Sequence, residues 1–202
     1  MNWQLFATFL VITMILVVTP GPIVTLVIAT GASQGVRAAL VTVMGTSTGN
    51  AVLLAAIAFG LGWVMQNAAE LFELMRWVGA AYLIWLGIRY WRGAGRTDTA
   101  PASGRVNFWR GFAVALSNPK TIAFFTAFLP QFIDPNLPAG RQLAVMCVVS
   151  IVLATMSDAG WAVAAGLGRA WLLSPARAKW LARLSGLVLV GGGVWLFARR
   201  PA

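Results

Sequence analysis

The stretch Thr19-Pro20-Gly21-Pro22 places two prolines and a glycine deep inside an apolar segment that covers residues 3–30. Proline lacks the backbone N–H that a helix needs, and its ring clashes with the preceding turn. Inside a bilayer, backbone groups freed in this way are tolerated only where protein or a water-filled cavity satisfies them. The stretch therefore predicts a helix broken within the membrane, with a simple packing kink as the structural alternative.

A second interruption, Asn118-Pro119-Lys120, lies inside a later apolar segment over residues 112–132. Two interrupted segments at corresponding positions of two halves are the sequence pattern that points to a transporter binding site. We therefore treat the interrupting residues as candidate substrate-binding residues, namely Pro20, Gly21, Pro22, Asn118, Pro119 and Lys120.

The composition indicates an integral membrane protein. Its 202 residues have a mean hydropathy of +0.80 and only 10% charged side chains, against about 25% in soluble domains. The net charge of +10 falls in the gaps between apolar runs, which argues against nucleic-acid binding and fits basic cytoplasmic loops. Histidine is absent and Cys147 is the single cysteine. We therefore expect no metal site, no cofactor and no enzymatic activity.

The apolar runs predict an all-α membrane protein with six transmembrane helices, since one span needs about 20 apolar residues. We expect a single transporter domain over residues 1–202. Lys and Arg are richer in the gaps on one side, so the positive-inside rule places both termini outside. The predicted spans cover residues 3–30, 38–65, 72–90, 112–132, 143–166 and 181–198.

Short sequence matches indicate an internal repeat. Arg76-Trp77-Val78-Gly79 has a counterpart in residues 183–186, and the Gly-Leu-Gly at residues 60–62 recurs at 166–168. Three spans per repeat is an odd number, so the second repeat must enter the membrane upside down. We expect repeat one over about 1–92, a linker over about 93–107 and repeat two over about 108–202, with helices one and four broken.

Two ionisable side chains fall inside predicted spans, where a charge is costly and usually functional. Lys120 follows the second break directly, although its long stem would also allow the ammonium to reach the interface by snorkelling. Asp158 lies midway along span five, where it is either a structural partner or a proton acceptor and ligand for an ammonium. Asn50 is a buried amide that needs hydrogen-bond partners. The small residues around it, from Gly45 to Gly49, favour close helix packing.

The chain contains three short motifs: Pro20-Gly21-Pro22, Asn-Pro-Lys at 118–120 and Phe-Leu-Pro-Gln-Phe at 128–132. These motifs and their spacing resemble the LysE/RhtB family of bacterial amino-acid exporters, the LysE superfamily translocators. The similarity extends over nearly the whole chain. It implies a multi-pass secondary transporter of the bacterial inner membrane that exports amino acids or related metabolites by proton antiport. It also implies that the two interrupting stretches are the family's two motifs.

These observations lead to one hypothesis for transport. The N–H groups at the broken helices, with Lys120, would hold the substrate carboxylate, and Asp158 would bind the substrate ammonium or a proton in turn. Asn50, Thr19 and Thr121 are weaker candidates for polar contacts. The partners would be the amino acid, protons and the lipid bilayer, and small-residue faces also allow a homodimer. A passive channel, an exporter of another small metabolite, an embedded enzyme and a structural scaffold remain the alternatives.

Overall fold

The computed structural model describes residues 2–67, 69–92, 107–168 and 175–198. Within these ranges all of the regular secondary structure is helical, as predicted. The helices are numbered here in chain order, and a 3-10 turn over Leu129–Phe132 follows the sixth. They are α1 (Trp3–Val18), α2 (Pro22–Gln34), α3 (Val36–Asn67), α4 (Ala69–Arg92), α5 (Asn107–Leu116), α6 (Pro119–Phe128), α7 (Ala139–Leu167) and α8 (Pro175–Ala198).

Both predicted helix breaks are confirmed. Helix α1 ends at Val18 and α2 begins at Pro22, with an angle of 43° between them. Helix α5 ends at Leu116 and α6 begins at Pro119, with an angle of 41°. In each case a proline takes the first position of the second half-helix, where its missing N–H costs no intrahelical bond.

By length and composition, the described residues contain two straight candidate spans, Val36–Leu61 and Ala139–Leu167, or up to four when each bent pair is one span. In α8, Ala182–Ala198 forms a shorter apolar helix. The six-span arrangement therefore stays a prediction. Except for Asn107, which begins α5, the predicted linker lies outside the described residues.

The long helices of the two halves pack in antiparallel pairs. Between α3 and α7, the Ser47 and Thr155 hydroxyls are 2.8 Å apart, and the Cys147 thiol donates to the Leu54 carbonyl oxygen at 3.8 Å. Residue numbers therefore increase along α3 in the direction in which they decrease along α7, so the two helices are antiparallel. Helices α4 and α8 approach closely where Gly87 lies against Gly186, because a Cβ at either glycine would come within 2.6 Å of the other's carbonyl oxygen.

Small residues also bring the broken helices against the opposite half. A Cβ at Gly45 of α3 would come within 2.0 Å of the Phe108 carbonyl oxygen on α5, and one at Gly49 within 2.6 Å of the Phe112 carbonyl oxygen. The predicted packing role of this glycine pair is confirmed. Conversely, the first broken helix contacts a long helix of the second half, where Gly31 of α2 lies against Ala162 of α7. Each broken helix is thus fixed against a long helix from the other half.

Much of the outer surface is apolar, as an environment of lipid tails requires. Large apolar side chains stand exposed on several helices, including Phe59, Met156 and Leu167. The interior contains a cluster built around Phe9, Phe124 and Phe128. The candidate site lies between the two helix breaks, and Leu16, Leu54 and Phe125 of this cluster form part of its lining.

Candidate functional site

A small cavity of about 50 Å³ lies between the two helix breaks. Residues from α1, α2, α3, α6 and α7 line it, together with Thr19 and the two residues that directly precede α2 and α6. Five predicted site residues are among them: Gly21, Asn50, Asn118, Lys120 and Asp158. Pro20, Pro22 and Pro119 lie beside these lining residues in the chain and set the backbone at the two breaks. The structure thus brings together side chains that are more than 100 residues apart in sequence.

Lys120 reaches across from the second break to the first. Its ammonium donates hydrogen bonds to the carbonyl oxygens of Leu16, at 2.8 Å, and Thr19, at 2.6 Å. The last carbonyls of a helix have no intrahelical partner and carry the negative end of the helix dipole. The side chain is 6% exposed, so it does not snorkel to an interface. Two of the three ammonium donors are used here, which leaves one for a ligand.

Gly21 leaves room for the Lys120 side chain to reach the end of α1. A Cβ at position 21 would lie 3.1 Å from Cδ and 3.6 Å from Nζ of Lys120. The lysine stem therefore passes directly over the glycine backbone. The φ of Gly21 is −145°, which any residue can adopt, so space rather than backbone conformation explains the glycine.

Two serines satisfy further carbonyls around the first break. Ser157 of α7 donates to the carbonyl oxygen of Val17 at 3.1 Å, and Ser185 of α8 donates to the carbonyl oxygen of Pro20. The broken end of α1 is therefore held by side chains from α6, α7 and α8. Sequence reasoning did not identify either serine. The one available signal was position, because Ser157 precedes Asp158 and Ser185 lies in the repeated Arg-x-x-Gly stretch.

The two half-helix N-termini at the breaks differ in their capping. At α6, the Asn118 side chain accepts a hydrogen bond from the Lys120 backbone N–H at 3.1 Å and donates one to the Thr121 hydroxyl at 2.8 Å. At α2, the N-cap is Gly21 and no side chain caps the first turn. Gly21, Ile23 and Val24 all line the cavity. The uncapped, positive end of α2 is therefore at the cavity wall.

Asp158 places a carboxylate at the same cavity as the Lys120 ammonium. It is 4% exposed on α7, and its Oδ2 lies 3.3 Å from the hydroxyl of Thr46 on α3. The same hydroxyl lies 3.0 Å from the Val43 carbonyl oxygen, so its one proton has two competing acceptors. Within the described part of the chain, Lys120 and Asp158 line one cavity without forming a direct salt bridge. The carboxylate therefore keeps acceptor capacity for another group.

Asn50 adds an unused acceptor. It is 5% exposed on α3, and its Oδ1 receives no hydrogen bond from the described residues. An unpartnered buried oxygen is costly unless a ligand or water satisfies it. Because Asn50 and Asp158 line the same cavity, two acceptors are available there for an ammonium.

The arrangement suits a small zwitterion. The positive end of α2 and the remaining Lys120 donor favour a carboxylate, whereas Asp158 and Asn50 favour an ammonium. No group of three or more potential metal ligands occurs within the four described ranges.

The chain is similar to known proteins over most of its length. The family model described as LysE type translocator matches residues 14–200. A homoserine/homoserine lactone efflux protein of Salmonella typhimurium is 33% identical over 207 aligned residues, which cover 100% of both chains. A leucine efflux protein of Klebsiella pneumoniae is 31% identical over 65% of this chain and 64% of its own length.

A membrane protein of Vibrio cholerae is 30% identical over 97% of this chain and 98% of its own. No solved structure gives a significant match. The family match covers most of the chain, and one of the relatives aligns from end to end. The chain therefore belongs to the family of LysE type translocators.

Proposed function

We propose that this chain exports amino acids across the bacterial inner membrane as a secondary transporter driven by proton antiport. Relatives named as homoserine and leucine efflux proteins support the substrate class. The observation that carries the proposal is the cavity between the two helix breaks, where a helix N-terminus and a buried carboxylate face one small space.

In the proposed binding mode, the substrate carboxylate lies at the uncapped start of α2 and takes the free donor of Lys120. The substrate ammonium donates to Asp158 and to Oδ1 of Asn50. In this binding mode Lys120 contributes less to the substrate carboxylate than the sequence predicted, because two of its three donors bind carbonyl oxygens at the end of α1. Lys120 then fixes the first break in place and contributes one contact to the carboxylate.

Proton coupling follows from competition for Asp158. A protonated carboxyl no longer attracts an ammonium, so proton and substrate exclude one another at this side chain. On the outer side a proton would displace the ammonium, and on the cytoplasmic side the substrate would displace the proton. The carboxylate is free of a direct salt bridge within the described residues, so neither ligand has to break one.

Alternating access would use two inverted repeats of three spans within a single domain over residues 1–202. Antiparallel pairing of α3 with α7 and of α4 with α8 supports this, because a two-fold axis in the membrane plane makes equivalent helices antiparallel.

Transport into inverted membrane vesicles tests the proposal. Radiolabelled homoserine and leucine are supplied outside, with the lumen made more acidic than the medium or left at equal pH. Antiport predicts accumulation only with the acidic lumen, because protons leave as substrate enters. Flux that ignores the pH difference would indicate a passive channel, and flux of neither compound would favour a different metabolite.

Asp158→Asn is the matched variant. It keeps the size of the side chain and removes its charge, so we expect at least a tenfold loss of pH-driven accumulation with normal amounts of folded protein. Asp134→Asn, in the loop after the 3-10 turn, is the control and should transport normally. Full gradient-driven accumulation by Asp158→Asn would refute the coupling role.

A further inference from the structure

A second cavity lies beside the candidate site, between α1, α4, α6 and α8. Its volume is about 340 Å³, several times that of the polar cavity. Its lining contains no charged side chain, and the indole N–H of Trp195 is the single side-chain polar group. The lining residues are Ile12, Ile15, Leu16, Leu83, Phe124, Phe128, Val188, Leu189, Gly191, Gly192 and Trp195.

The two cavities share a wall. Leu16 lines both, and its carbonyl oxygen accepts a hydrogen bond from Lys120. On α6, Lys120 lines the polar cavity, and Phe124, one turn later, lines the apolar one. One helical turn is about 5.4 Å. The apolar cavity thus begins within a single turn of the charged groups.

The sizes of the two cavities suggest a division of roles. A water needs about 10–15 Å³ of such space, so the polar cavity, at about 50 Å³, has room for a few waters or a zwitterionic head group. It has no room for a branched aliphatic side chain as well. The adjoining cavity has that room and a lining that favours hydrocarbon over polar groups.

We propose that the apolar cavity is the side-chain subsite of the transporter and accepts the aliphatic side chain of an exported amino acid. This inference rests on the proposed function. The substrate's polar groups would stay between the breaks, and its side chain would pass Leu16 toward Phe124 and Phe128. Adjacency at Leu16 favours a substrate over a lipid tail, because the cavity adjoins the groups that would hold the substrate's charges.

Filling the subsite tests the inference. Gly191 lines the cavity, and a Cβ added there meets no atom within 4 Å, so Gly191→Leu should be accommodated without a clash. Gly160→Leu is the matched control, because Gly160 is also helical, exposed and free of atoms within 4 Å, yet lines neither cavity. Val188→Phe is a second filling variant on the same wall.

The measurement is accumulation of leucine and homoserine in the inverted vesicles under an acidic lumen, normalised to folded protein. We expect both filling variants to lower leucine accumulation at least tenfold and homoserine accumulation less than twofold, since one methylene in an apolar pocket is worth about tenfold or more. Gly191→Ala should give a smaller loss of leucine accumulation, and Gly160→Leu should leave both substrates unchanged.

Unchanged leucine accumulation in both filling variants would overturn the subsite, and so would an equal loss of both substrates. The first result would mean that lipid tails occupy the cavity. Export of homoserine without leucine by the unmodified protein would also overturn it. Export of neither compound would instead contradict the proposed function, so the two failures are distinguishable.

Discussion

The ammonium of Lys120 lies 2.6 Å from the carbonyl oxygen of Thr19, although 101 positions separate the two residues in the chain. The lysine lies in the first turn of the half-helix after the second break, and the threonine is the C-cap of the half-helix before the first. A side chain at the second break therefore caps the helix that ends at the first break. The two halves are joined at the point where each has lost its own helical hydrogen bonds.

Lys120→Met should destabilise the protein as well as impair transport. The methionine keeps the apolar stem but leaves the Leu16 and Thr19 carbonyls without this donor. A hydrogen bond to a charged group is worth about 1.5–3 kcal/mol. Thermal unfolding in detergent should show a clear fall in Tm. The exposed Lys179→Met is the control, and equal melting of the two variants would contradict the capping role.

Gly21→Ala should act through Lys120. The added Cβ would come within 3.1 Å of the lysine Cδ, so the stem must shift by a few tenths of an ångström, which disturbs the contacts of the ammonium with its carbonyl partners. We expect export to fall at least tenfold, with a smaller loss of Tm than in Lys120→Met because the charge is retained. Gly60→Ala is the control, since a Cβ there meets no atom within 4 Å and alanine favours a helix. Wild-type export by Gly21→Ala would show that the close approach has no functional role.

The sequence predicted both breaks because proline has the same local effect wherever it occurs. The sequence also predicted that Lys120 and Asp158 come together, because a charge inside a bilayer needs a partner or a ligand, and both side chains line one cavity. The rotation of each helix was beyond the sequence, since segments that are apolar nearly all round carry no periodic signal. For that reason Ser157 and Ser185 were missed, although both satisfy carbonyls at the first break.

Asn50→Leu should separate binding from stability. Oδ1 of Asn50 has no hydrogen-bond partner among the described residues, and leaving a buried acceptor unsatisfied costs about 1–3 kcal/mol. Leucine removes that cost, so Tm should stay equal or rise while homoserine accumulation falls. Asn118→Leu provides the contrast, because it deletes the cap of α6 and its bond to Thr121. A large loss of Tm in Asn50→Leu would mean that the amide is structural.

Asp134 provides a test of the loop between the 3-10 turn and α7. The backbone N–H of Asn136 donates to its carboxylate at 2.9 Å and is the main cause of a pKa below the ordinary value. The side chains of Asn136 and Asn2 lower the pKa further. A carboxyl with a depressed pKa stabilises the fold above about pH 4 and loses that contribution as the pH falls through its folded-state pKa. The loop should therefore loosen only in acid.

Two variants at position 136 separate these causes. Asn136→Ala removes the side-chain donor and keeps the backbone N–H, so the pKa of Asp134 should rise slightly. Asn136→Pro removes both donors and should raise that pKa further, since the backbone bond is the larger contribution. A carbon-13 titration of the Asp134 carboxyl measures the pKa directly. Equal values in the two variants would show that the Asn136 side chain, and not its backbone, holds the carboxylate.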